Sequence, residues 1–133
     1  MSAYLAGLPA FLTYFVTGLA CYGLFIFIYT LLTPHKESLL IREGNLAAIV
    51  AFLGALLGFS LPLASAAAHS VSLIDYALWA LIGIIVQVIA FYIANFTMKD
   101  LHSKITNGDI AAGIWGGGIA VVIGILNAAC MTY

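Results

Sequence analysis

Four uninterrupted apolar runs govern what this chain can fold into. They cover residues 8–32, 46–68, 73–98 and 110–132, and are 25, 23, 26 and 23 residues long. Three contain no charged residue, and the third contains only Asp75, near its start. A helix needs roughly 20 residues to cross about 30 Å of hydrocarbon, so each run is long enough to span, with residues left over for tilt. None of them alternates apolar with polar as a barrel strand would. The fold class expected is an all-α membrane protein with four transmembrane helices, and residues 1–133 form one integral membrane domain.

Composition removes the other classes. Only 7% of the 133 residues are charged while 65% are hydrophobic, against about 25% and 45–50% in soluble domains. Nine charges cannot cover a water-facing surface. Disordered chains are poor in hydrophobic residues. A net charge of −1 provides no basic patch for nucleic acid.

The charges set the topology. Lys36 and Arg42 lie in the connection 33–45, and Lys99 and Lys104 in the connection 99–109. The tight connection 69–72 and both tails carry no Lys or Arg. By the positive-inside rule, loops 33–45 and 99–109 are expected in the cytoplasm, with both termini and the His69 turn outside. The seven-residue N-terminal tail has no basic region and no small-residue cleavage site, so the first run is expected to be retained.

The second half echoes the first at an offset of 64. Gly44-Asn45-Leu46-Ala47-Ala48 aligns with Gly108-Asp109-Ile110-Ala111-Ala112, Gly54 with Gly118, and Thr33 with Thr97. Two units, about 8–68 and 73–132, are expected as tandem helix-loop-helix repeats. With two spans in each they are parallel, about an axis along the membrane normal. Gly44 and Gly108 also have a local reading, as loop ends followed by the N-caps Asn45 and Asp109.

Helices in lipid associate through close packing and a few hydrogen bonds. Small residues at helical spacing mark the meeting faces. They are Ala47, Ala51, Gly54 and Gly58 on the second run; Ala80, Gly83, Gln87, Ala90 and Ala94 on the third; and Gly113, Gly117, Ala120 and Gly124 on the fourth. Gly116-Gly117-Gly118 allows a close neighbour or a local bend. Pro62 frees a backbone carbonyl in the second run. The aromatic residues of the first run point all around it, as belt and lipid contacts.

Four polar residues are candidate intramembrane or interface sites. Gln87 and Asn127 lie on small-residue stripes and are read as interhelical hydrogen-bonding groups, the alternative being contact with a substrate or ion. Asp75 ends the capping-box pattern Ser72-Leu73-Ile74-Asp75, the alternative being an intramembrane acid. His69, one turn away, is either solvated or paired with Asp75. His35 and His102 share metal-ligand spacing with no other His or Cys, so no metal site and no cofactor is expected. Residues 34–43 read as a short interfacial helix with Leu39, Leu40 and Ile41 in lipid. Asp100 and Lys104 are spaced for an i,i+4 pair. Cys21 and Cys130 differ in depth by ~13 Å, too far for an intrachain disulfide.

Several segments carry a resemblance: Thr33-Pro34-His35, Asn45-x-Ala47-Ala48, Gly58-x-x-x-Pro62-Leu63, Ser70-Val71-Ser72-Leu73-Ile74-Asp75-Tyr76, and Asn127-Ala128-Ala129-Cys130-Met131-Thr132. In these the chain resembles the YjfL-like family of small bacterial inner-membrane proteins, domain-of-unknown-function family 350. The resemblance spans nearly the whole chain. It implies a Gram-negative inner membrane and paired-helix repeats, and it implies no reaction. Relatives encoded beside ATP-grasp ligase-like and phage-shock-like proteins imply a membrane component of an envelope-associated system.

Three functional classes follow. The first is a non-enzymatic membrane subunit, a homo-oligomer in the lipid bilayer with a cytoplasmic partner at loops 33–45 and 99–109. The second is a small transporter or channel lined by Gln87, Asn127 and the hydroxyls of Thr13, Thr17 or Ser65. The third, an enzyme, lacks any nucleophile beside a base, any H-E-x-x-H motif and any paired buried carboxylates. The first is the expectation.

Overall fold

The structure is a computed structural model and describes residues 2–33 and 37–131. Pro34, His35 and Lys36 lie outside the described residues, and with them part of the first loop's charge. The elements run α1 (Ser2–Leu32), α2 (Glu37–Arg42), α3 (Leu46–His69), α4 (Leu73–Thr97), α5 (Leu101–Thr106) and α6 (Ile110–Cys130). Four of these helices are long and apolar enough to cross a membrane.

The chain changes direction through the same local chemistry at two places. After α2, Gly44 adopts φ 80°, and after α5, Gly108 adopts φ 82°. Only glycine takes this left-handed conformation without steric cost. The hydrogen bonds match as well. Gly44 N–H donates to Ile41 O (3.1 Å) and Asn45 N–H to Leu40 O (2.9 Å); Gly108 N–H donates to Ile105 O and Asp109 N–H to Lys104 O, both at 2.9 Å. Each is a Schellman closure that satisfies helix-end carbonyls. Asn45 then caps α3 by accepting from Ala48 N–H (3.1 Å), and Asp109 caps α6 by accepting from Ala111 N–H (3.1 Å).

Residues 99–109 are not simply a loop. Leu101 and Ile105, one turn apart on α5, are buried with Leu40, Ala47, Ala48 and Ala112. Leu40 therefore turns to the protein while Leu39 stays exposed, so α2 does not lay all three of its apolar residues into lipid. Asp100 meets Lys104 through the backbone, with Lys104 N–H donating to Asp100 O (3.0 Å).

Helices α3 and α6 pack closest. The Gly113 Cα faces Ala47, Gly117 faces Val50, Ala51 and Gly54, and Gly124 faces Gly58. Both residue series rise together, so the two helices run in the same direction. At Gly54, Gly58, Gly113 and Gly124 a Cβ would overlap backbone atoms across the interface. The helices meet main chain to main chain, because dispersion contacts rather than a hydrophobic effect hold helices together in lipid. Of the triple glycine only Gly117 lies in this interface; nothing approaches Gly118, and Gly116 meets only a Leu101 methyl. Pro62 lies inside α3 and has no N–H. The carbonyl it frees, four residues back, belongs to Gly58, and this oxygen is the one pressed against Gly124. A Cα–H···O contact fits this arrangement.

Helix α4 runs antiparallel beside both, with Ala80, Gly83, Gln87, Ala90 and Ala94 buried. The small-residue stripe read from the sequence is its inner face. Helix α1 is attached differently. Tyr14, Gly18, Tyr22, Phe25 and Tyr29 form an inward stripe at spacings of three and four. Tyr14 stacks on Tyr76 with ring centroids 5.3 Å apart, Phe25 on Phe59 at 4.8 Å, and Tyr22 meets Phe59 edge-on at 5.5 Å. Phe11, Phe15 and Phe27 face outward. The aromatics are therefore sorted by face rather than spread around the helix. Side chains, not backbone, hold α1 to the bundle.

Candidate functional site

The buried polar chemistry converges where α3, α4 and α6 meet. The Gln87 side chain is 4% exposed. Its Nε2 donates to the Ala120 carbonyl of α6 at 3.1 Å. A carbonyl only accepts, so the amide nitrogen must be the atom facing Ala120, and the orientation of the amide follows from chemistry. The Gln87 nitrogen and the Ala120 carbonyl also lie against Gly58 of α3, where a Cβ would crowd both. Glycine at 58 thus lets one amide tie two helices across a third.

On the loop side of this junction lies a partly enclosed cavity of about 30 Å³. Its wall is largely apolar, with Phe25, Phe91 and Ala55 among its residues, and Thr33, Gln87 and His102 bring polar groups to it. Thr33 is buried, and its hydroxyl donates to Tyr29 O at 3.1 Å. The His102 ring leans on Phe91 with centroids 5.3 Å apart. Nothing in the sequence marks Thr33 and His102 as neighbours of Gln87. They lie 54 residues upstream and 15 downstream of it, and only the packing of α5 brings His102 in.

The other candidates are dispersed. Asn127 lies one turn beyond Gly124 and is not bonded to Gln87; its buried Nδ2 has no hydrogen-bond partner among the described residues. Asp75 N–H donates to Ser72 Oγ (3.1 Å), and the Asp75 carboxylate accepts from Val71 N–H (3.0 Å). This is a capping box closed one residue earlier than its usual N-cap N–H. The His69 Nδ1 lies 3.0 Å from the Ser65 carbonyl. Thr13 and Thr17 donate to the carbonyls four residues back in α1, at 2.8 and 2.7 Å. A further interhelical tie went unread in the sequence: Tyr22 Oη and Ser60 Oγ are 2.5 Å apart. Since Ser60 donates to Leu56 O (2.7 Å), the tyrosine is the donor. Among the described residues no group of three or more His, Cys, Asp or Glu is placed to hold a metal ion, and both cysteines are free thiols.

Comparison with known proteins supplies a family. The model of the Domain of Unknown Function DUF350 matches residues 3–131. The UPF0719 inner membrane protein YjfL of Escherichia coli (strain K12) is 45% identical over 129 residues, covering 97% of this chain and 98% of the relative. The UPF0719 transmembrane protein YshE of Bacillus subtilis (strain 168) is 26% identical over 118 residues, covering 87% and 88%. No solved structure matches. A family match over almost the whole chain, with a 45% identical relative covered over nearly its full length, agrees with four helices long and apolar enough to cross a membrane: the chain belongs to the DUF350 family of membrane proteins, whose function is unknown.

Proposed function

We propose that this protein is a non-enzymatic, oligomeric subunit of the bacterial inner membrane, serving an envelope-associated system. The observation that carries this reading is the bond from Gln87 to the Ala120 carbonyl. The deepest amide of the bundle joins helices, and the backbones beside it are closed by Gly58 and Gly124. Assembly chemistry, rather than a reaction or a conduit, accounts for both. Four helices enclose little interior, and the faces left over on α1 and α6 suit association with further copies. Loops 33–45 and 99–109 face the cytoplasm in this reading and carry eight of the chain's nine charged residues, which a partner could meet. Both termini lie outside. The matching Schellman closures at Gly44 and Gly108 and the parallel run of α3 and α6 support two tandem units, 8–68 and 73–132.

Gln87→Leu tests the proposal in purified protein reconstituted into vesicles. The expected result is a modest loss of stability or assembly, with vesicle permeability to water-soluble tracers unchanged. Altered flux with assembly intact would instead establish the second reading, a small transporter or channel at Gln87, Asn127 and nearby hydroxyls. That reading draws on the unpartnered Nδ2 of Asn127. A C-terminal reporter active only in the cytoplasm should be silent; strong activity would reverse the orientation.

A further inference from the structure

The cavity beside Gln87 holds more than the packing of helices requires. Gln87 is the only glutamine in the chain, and one N–H of its Nε2 is spent on the Ala120 carbonyl. That leaves Oε1 as an acceptor which no donor among the described residues reaches, in a side chain that lines the cavity. Thr33 Oγ1, also on the wall, uses its proton on Tyr29 O and keeps its lone pairs. The two oxygens call for a ligand that donates.

Size and charge narrow the ligand. The cavity volume of about 30 Å³ exceeds the about 10–15 Å³ that a single water molecule needs. No carboxylate lines it, so a cation would be buried without a counter-charge. A neutral donor of water size satisfies the acceptors without that penalty. We propose that this cavity is an internal water site, in which bound water donates to Gln87 Oε1 and links the middle of α4 to the wall formed by Thr33 and helix α5.

The single glutamine makes the test direct. Selective ¹⁵N-glutamine labelling of the full chain in lipid nanodiscs gives one side-chain amide, that of Gln87. Magnetisation transfer from water to this amide is the readout. The expected result is a clear cross-peak in the unmodified protein. Gly116→Ala adds a methyl to the cavity wall, with 3.8 Å to the nearest atom of Leu101, and should reduce the cross-peak by roughly half or more. Gly118→Ala, with nothing within 4 Å and no part in the wall, should leave it unchanged. An amide signal without a water cross-peak would overturn the proposal. A cross-peak that Gly116→Ala does not diminish would overturn it too, by placing the water elsewhere.

Discussion

The carbonyl of Gly58 occupies the space that a Cβ on residue 124 would need. Gly58 and Gly124 therefore pack main chain against main chain, and this pair sets how near α3 and α6 can come. Gly124→Ala should push the helices apart and destabilise the fold by about 1–3 kcal/mol, as overpacking does. Gly118→Ala, one and a half turns away and facing open space, should be neutral or slightly stabilising because alanine is the better helix former. Unfolding in mixed micelles on titration with sodium dodecyl sulfate would rank the two.

Asn45 does one thing that Asp109 does not. Both cap a helix, but Asn45 Nδ2 also donates to the Ile105 carbonyl at 2.8 Å, tying the start of α3 to the end of α5. A carboxylate has no proton to donate there. Asp109→Ala should cost about 1 kcal/mol, the usual loss of a cap. Asn45→Ala should cost about 2 kcal/mol, since a net hydrogen bond of about 1 kcal/mol goes with the cap. Asn45→Asp should keep the cap and lose the tie. The same denaturation assay reads all three.

Gly44 and Gly108 share one conformation, φ 80° and 82°. A side chain in this region is strained by roughly 1–2 kcal/mol. Gly44→Ala and Gly108→Ala should destabilise by that amount and by equal amounts, although the sequences of α2 and α5 have little in common. A difference well beyond experimental error would show that the two turns are not mechanically equivalent.

Phe25 stacks on Phe59 and is 2% exposed. In water a buried Phe→Ala costs about 3–5 kcal/mol. In lipid most of the transfer component is absent, because the freed surface meets apolar chains. Phe25→Ala should therefore fall below that range and act locally. Amide hydrogen exchange in α1 should speed up while α3 and α6 remain protected.

The sequence made α3, α4 and α6 legible because small residues in a greasy helix have one explanation: something comes close. The stripe through Ala80, Gly83, Gln87, Ala90 and Ala94 is buried along its whole length. Helix α1 was opaque for the opposite reason. Large aromatics suit lipid, the interface and a protein core alike, so Tyr14, Tyr22, Phe25 and Tyr29 differ from Phe11, Phe15 and Phe27 only in angular position. Helix α5 was hidden because six residues, Leu101–Thr106, make too short a window for periodicity. Its only mark was Leu101 and Ile105 one turn apart. For Gln87 the stripe foretold a helix partner but not which atom. The Ala120 carbonyl becomes reachable only because Gly58 has no side chain in the way, and that depends on three helices at once.

The pairing of Gly58 with Gly124 has a consequence for biogenesis. These residues belong to α3 and α6, so the tightest interface cannot exist until α6 has been made and inserted. Until then, the glycine face of α3 stands in lipid with no surface matched to it. A nascent chain stalled or truncated before Ile110 would hold three inserted helices and an unfinished seam. The arrival of α6 is therefore the step that closes the main-chain seam along α3.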